Sequence, residues 1–549
     1  MDEARSSAGS PTVAWWAVGV AGGLVALGVF LRVWLVSNTG VNSDEAVVGL
    51  MARQIQHGHF TTFFWGQAYG GVEPYVVAGS FEVFGFHTWL VEAVPAVLTA
   101  GGCVVLWRLA SRVFSPTVGF LAASLAWAWP ESNVRDSVQE YGFRGVVFLC
   151  GMTVLVCTVR VLAREDRRRT WALLGMATGV GWWASPEVLY FLVPAALGLA
   201  WAMARRPGRP WRTAAADWGT GTACAVLGAL PWLYTNVTSH WPSLHVGTYF
   251  TGGTYGGRLG TFLTKTLPIT LGVRTIASGS WLGRGAGPVL YGVVVIVVVL
   301  SAAVAAAKVP RARLLVAFLA VFPFLYAAQP TTYWRDGRFA VYFAPVVAAV
   351  VLGAVGYLAA TARRPALPAT RFAGAGLGAF ALVAGSAAAV SSVQSLMLTT
   401  DFGARPVALG DQGVESAPQA VVRDLETHRI THVYAQYWVA YVVDLLSDGA
   451  VTATPPDAIR SRRLFEQVAR APRAAWLFTG PTAQDGQVLT ASLSSAANPY
   501  DLTPAAFTAT LDRRGVRSTT HVVGPMVAVL PSQQVTPQGL YRLETIGHL

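Results

Sequence analysis

Eleven stretches of the chain are apolar enough, and long enough or nearly so, to cross a hydrocarbon core about 30 Å thick. They cover residues 13–36, 88–107, 116–130, 143–162, 170–184, 187–204, 217–236, 287–307, 312–328, 339–360 and 371–393. A backbone in lipid must satisfy its own amides, and runs of this length do so as helices. The expected fold class is therefore a polytopic α-helical membrane protein with about eleven transmembrane helices. The opening MDEARSSAGSPTVAWW puts acids ahead of the first apolar run, so it reads as the lead into a spanning helix rather than a cleaved signal peptide.

Composition agrees. Only 12% of the residues are charged and 53% are hydrophobic, against about 25% charged in soluble domains. The net charge of +12 would suit a nucleic-acid binder if it lay on a soluble face. It does not. Residues 1–394 hold 28 Lys and Arg against 15 Asp and Glu, whereas residues 395–549 hold 12 against 13. The basicity belongs to the membrane part, and no nucleic-acid partner is expected. The cysteines Cys103, Cys150, Cys157 and Cys224 lie in apolar runs without ligand spacing, so neither a disulfide framework nor a zinc site is indicated.

Alternate short loops carry the Lys and Arg, among them Arg108 and Arg112, Arg164 and Arg168, Arg205 and Arg212, Lys308 and Arg311, and Arg363 and Arg364. The positive-inside bias makes these loops cytoplasmic. The other face then receives Asp44, Glu45, Glu73, Glu82, Glu131, Asp136, Glu140, Glu187 and Asp336. The chemistry is accordingly expected outside the cytoplasm, on a multi-pass protein of the cell membrane. After residue 394 hydropathy falls. The segment 421–435 reads as a helix leading into a strand, and AAWLFTG and GPMVAVLP read as strands. The expected division is a transmembrane catalytic domain over 1–394 and an extracytoplasmic α/β domain over 395–549.

Two outer loops are longer than plain connections, 37–87 and 237–286. In the first, NSDEAVVGLMARQIQHG forms an amphipathic helix opened by Asp44 and Glu45. These acids either complement the helix dipole or supply a general base, since partial desolvation raises a carboxylate's proton affinity. Farther on, FFWGQAYGGVEPY gathers Gln67, Tyr69 and Glu73 among glycines, a composition suited to sugar hydroxyls or, alternatively, to an interfacial aromatic belt. The second outer loop, PESNVRDSVQEYGFRG, offers Asp136, Glu140, Tyr141 and Arg144. Glu187 begins a spanning helix, as a cap or as a site acid. Arg258 and Lys265 in loop 237–286, with Arg335 and Arg338 before the tenth run, are cations on the face where cations are scarce. They fit a lipid phosphate or simple headgroup contact.

These loops, in their order and sidedness, resemble the GT-C superfamily of membrane glycosyltransferases, in particular the branch holding protein O-mannosyltransferases and the bacterial aminoarabinose transferase of lipid A. The resemblance spans most of residues 35–360. Its carriers are the Asp44–Glu45 pair, FFWGQAYGGVEPY, GWWASPEVLYFLVP, GALPWLYTNV, LPITLGVR and RFAVYFAP. It implies a polyprenyl-phosphate sugar donor, Asp44 as the catalytic acid of the first outer loop, and Asp136 or else Glu140 as the second acid. The chain departs from the usual pattern in having Phe339 after Arg338 where a tyrosine is common, which leaves the donor sugar open.

The function expected is transfer of a sugar from a polyprenyl phosphate to a hydroxyl of a glycan, lipid or protein acceptor, with Asp44 as base and inversion at the anomeric carbon. Glu45 and Asp136 join Asp44 in the catalytic group. The substrate contacts are Gln67, Tyr69, Glu73, Glu140, Tyr141, Arg144, Glu187, Arg258, Lys265, Arg335 and Arg338. A divalent cation, Mg or Mn, on Asp44 and Asp136 would share the charge stabilisation. The competing class is a transporter or lipid flippase, but its usual marks, mid-membrane ionisable residues and matching halves, are not found here.

Overall fold

The computed structural model describes residues 15–38, 40–165, 168–205, 211–244, 253–276, 279–329, 337–362, 386, 417–479, 504–524 and 526–537. The eleventh apolar run, 371–393, and the loop with Arg363 and Arg364 expected to be cytoplasmic lie outside them, apart from residue 386. Among the described residues seven helices are long and apolar enough to span: Ala17–Asn38, Trp89–Val113, Arg144–Leu162, Pro186–Ala204, Gly287–Lys308, Pro310–Ala328 and Phe343–Thr361. Three further expected runs are helical but shorter or more polar. Run 116–130 is the 13-residue helix Pro116–Ala128, run 170–184 is the 17-residue Arg168–Ala184, and run 217–236 breaks into Trp211–Gly228 and Leu230–Thr238. The count of eleven is thus not fixed by the helices, although the polytopic helical class is.

The chain forms two compact units. The first comprises Met1–Leu35, Ala68–Glu73 and Ala93–Leu398, and the second Val36–Gln67, Pro74–Glu92 and Thr399–Leu549. The first unit is a helical bundle whose core is crowded with aromatics. Tyr190 stacks on Phe322 at 4.2 Å between ring centroids, and Phe191 packs against Phe318 and Tyr342. The helix Arg168–Ala184 packs closely against Trp211–Gly228. A Cβ placed on Gly175 would stand 1.9 Å from the Gly221 carbonyl oxygen, and one on Gly179 would stand 2.1 Å from that of Ala225. Only glycine permits this approach. In lipid, where apolar burial does not drive association, such small-residue contact is what holds helices together.

The second unit contains a five-stranded sheet made of β1 (His432–Tyr434), β2 (Thr452–Thr454), β3 (Ala475–Thr479), β4 (Ser518–Val523) and β5 (Met526–Pro531). The order is β2-β1-β3-β5-β4, parallel across the first three and antiparallel across the last two pairings. The strands expected at AAWLFTG and GPMVAVLP are β3 and β5, and the helix expected before β1 is Ala417–Thr427. The unit also takes in the loop helix Ser43–Gln56, which packs against the helix Tyr437–Leu446 through Gly49. A Cβ there would stand 2.8 Å from Leu445.

Candidate active site

The second unit holds Asp44. The loop helix opens with a capping box: Asn42 accepts the N–H groups of Asp44 at 2.9 Å and Glu45 at 3.1 Å, and the Glu45 carboxylate accepts the Asn42 N–H at 2.6 Å. Such a cap stabilises a helix by about 1 kcal/mol. Glu45 is buried within it, so geometry assigns this residue the capping reading that its position left open. The Asp44 side chain is not consumed by the cap. Its Oδ1 accepts the Tyr437 hydroxyl at 2.5 Å, while Ser43 Oγ donates to the Tyr437 carbonyl at 2.5 Å. The Arg460 guanidinium lies 5.6 Å from the Tyr437 ring and 5.9 Å from the Phe64 ring. Burial first, then the charge of Asp44, pushes the Tyr437 phenol well above its usual range. Gln67 closes the neighbouring turn through its N–H to the Phe64 carbonyl.

The first unit gathers most of the other expected residues. Glu73 and Glu140 are neighbouring carboxyls, both fully buried. Burial pushes the Glu73 carboxyl up, opposed by the neighbouring Glu140 and by the Val146 N–H, which donates to it at 2.7 Å. Glu140 accepts the Gly142 N–H at 2.6 Å, so the pair fastens the turn that leads into Arg144. Tyr69 packs edge-on against Phe143. Arg144 is buried, with its guanidinium 4.3 Å from the Tyr141 ring and 5.3 Å from the Phe339 ring. Its charged neighbours are Glu187, Arg338 and Asp136. Glu187 is not a cap here: Ser185 caps that turn, and the Glu187 carboxylate accepts the Tyr342 hydroxyl at 2.7 Å.

Nε and Nη1 of Arg144 are buried without a protein hydrogen bond among the described residues. They belong to the wall of a cavity of about 30 Å³, lined also by Asn133, Asp136, Ser137 and Tyr342. That volume holds about one water. A phosphoryl group would enter only as the lining moves. An unpartnered buried donor on a charged group costs more than 1 kcal/mol, and an anion is the partner that removes the cost.

The remaining cations are differently placed. Arg258 gives Nε to the Ala327 carbonyl and Nη1 to the Gly253 carbonyl, both at 2.7 Å, so it closes a helix end. Lys265 is exposed on the turn Phe262–Thr266. Arg335 lies outside the described residues, as does Asp336. Among the described residues no three His, Cys, Asp or Glu side chains converge as a metal site, and Asp44 and Asp136 belong to different units. Sequence reasoning missed Tyr437 as the partner of Asp44, and Arg460 altogether. It also missed Asn42, although N-x-x-E ahead of an apolar run is a legible cap signature.

Two kinds of comparison bear on this arrangement. The family described as dolichyl-phosphate-mannose-protein mannosyltransferase matches residues 71–234. Crystal structures of ArnT from Cupriavidus metallidurans, in the apo state and bound to undecaprenyl phosphate, align with TM-scores of 0.55 at 13% and 12% identity. Each alignment covers 94% of this chain and 98% of ArnT. The Archaeoglobus fulgidus oligosaccharyltransferase, crystallised with Zn and sulfate, aligns at 14% identity and TM-score 0.45 over 83% of this chain and 67% of its own. No curated protein sequence matches. The alignments give the chain an ArnT-like fold, and residues 71–234 match the mannosyltransferase family, both in line with the resemblance read from the sequence.

Proposed function

We propose that the chain transfers a sugar from a polyprenyl-phosphate donor to an acceptor hydroxyl at the outer face of the cell membrane. The observation that carries this reading is Arg144. A buried guanidinium with two nitrogens unpartnered among the described residues, beside Arg338, sits in a fold whose relative ArnT was crystallised with undecaprenyl phosphate. Arg144 and Arg338 would hold the phosphate of the donor, and the planar fork of arginine suits that task. Tyr141 and Phe339 flank both guanidinium groups and limit their swing.

In the reaction Asp44 takes the proton of the acceptor hydroxyl as its oxygen bonds to the anomeric carbon. The bond from that carbon to the phosphate oxygen breaks, its electron pair leaves with the polyprenyl phosphate, and the anomeric centre inverts. Charge develops on the departing phosphate, where fixed cations lower the barrier most.

The test offers purified full-length protein in lipid nanodiscs a panel of radiolabelled polyprenyl-phosphate sugars, beginning with mannose and aminoarabinose, together with candidate glycan, lipid and peptide acceptors. Label passing from at least one donor to an acceptor or to water supports the proposal. Stable donors throughout, in protein that binds none of them, would refute it.

A further inference from the structure

We propose that Tyr437 is a positioning residue for Asp44: its hydroxyl holds one carboxylate oxygen so that the other faces the acceptor. The inference rests on the reading of Asp44 as base. Its geometry is local to the second unit and independent of any ligand.

A carboxylate on the first turn of a helix ordinarily spends itself on the cap. Here Asn42 and Glu45 have already satisfied the end of the loop helix, so Asp44 is spared. A carboxylate can turn about its Cβ–Cγ bond, and a general base must offer a lone pair in one direction to be effective. The Tyr437 hydroxyl fixes that rotation through Oδ1 at 2.5 Å. Oδ2 carries no hydrogen bond among the described residues, and Asp44 is only half-buried, so that oxygen is open to a hydroxyl. Tyr437 is itself held in place. Its carbonyl accepts Ser43 Oγ, which ties the starts of two helices together, and its ring lies 5.6 Å from the Arg460 guanidinium. Arg460 in turn is held where its backbone N–H donates to the Tyr441 hydroxyl at 2.7 Å. Gly66 leaves room for it, since a Cβ at 66 would stand 3.2 Å from Arg460 Cδ.

The pairing of Tyr437 with Asp44 can be read without a substrate. Full-length protein carrying 3-fluorotyrosine in place of Tyr437 is titrated by fluorine NMR, alone and with Asp44→Asn. Removing the carboxylate charge beside the phenol should lower its titration midpoint by about one pH unit or more. Equal midpoints would overturn the pairing. In the transfer assay Tyr437→Phe should lower kcat by roughly 10- to 100-fold with the donor KM unchanged, and 3-fluorotyrosine, which keeps the hydroxyl, should restore it. A Tyr437→Phe protein with the parental kcat would overturn the positioning role. If Tyr437→Phe does not fold, the fluorotyrosine titration decides alone. Full activity of Asp44→Asn with a shifted midpoint would remove the base reading, and the positioning role with it, while leaving the hydrogen bond in place.

Discussion

The residues that matter here differ in how their charges are used, and that difference yields separate expectations. Arg144 keeps two buried guanidinium nitrogens unpartnered among the described residues, and hydrogen bonds to charged groups are worth about 1.5–3 kcal/mol. Arg144→Lys retains the charge but loses the fork. It should raise the donor KM by roughly tenfold with kcat and the unfolding temperature little changed. Steady-state kinetics over a donor series checks this, and an unchanged KM would move the phosphate contact elsewhere. Asp444 is a buried carboxyl of a different kind. Burial pushes it up to about 7 from an ordinary 3.8, although it accepts the Ala453 N–H at 3.0 Å. Below the ordinary value both folded and unfolded chains carry the proton, and stability is unaffected. As pH rises toward 7 only the unfolded chain releases it, so stability falls across that window by at most on the order of 4 kcal/mol. Hydrogen exchange of the β2 amides in full-length protein, corrected for intrinsic rate, should show protection dropping from pH 5 to pH 8. Asp444→Asn should flatten that dependence. A flat profile in the unaltered protein would contradict the assignment.

At the scale of elements, local pattern was legible and long-range pairing was not. The loop helix announced itself by the spacing of Ala46, Val47, Leu50, Met51 and Ile55, all buried in the structure. The strands β3 and β5 announced themselves as short apolar runs. No periodicity, by contrast, links Asp44 to Tyr437, nearly four hundred residues away, and nothing in PPDAIRS marks Arg460 as a neighbour of either. The sequence also left the packing of Arg168–Ala184 hidden, because its glycines could have been flexibility or contact. They are contact: a side chain at Gly179 meets the Ala225 backbone. Gly179→Val should therefore lower the thermal unfolding temperature in detergent, with a destabilisation of about 1–3 kcal/mol or more. Gly219, on the partnering helix with open space around its Cβ position, serves as control, and Gly219→Val should change little. Equal effects at both positions would mean that helix propensity, not the close approach, sets the cost.

For the whole molecule, hydropathy and charge bias led to the right class, a polytopic helical protein with a small sheet, because both act over many residues and tolerate local error. Individual crossings were harder. The apolar runs 116–130 and 217–236 form the 13-residue helix Pro116–Ala128 and the broken pair Trp211–Gly228 and Leu230–Thr238, because an apolar run marks burial in lipid but not where a helix is interrupted. The candidate site was legible in its acids and in Arg144, whose loops carry the family pattern. It was illegible wherever a role depends on a distant partner, as with Glu187 and Tyr342. The account as a whole turns on Asp44 acting as a base toward a lipid-linked sugar. The most direct measurement compares the unaltered protein with Asp44→Asn, reconstituted in the same nanodiscs at matched folding and donor occupancy, for transfer of radiolabelled sugar from its polyprenyl phosphate. The account predicts that the substituted protein binds the donor as before while its turnover falls at least about a hundredfold. Turnover equal to that of the unaltered protein would contradict it.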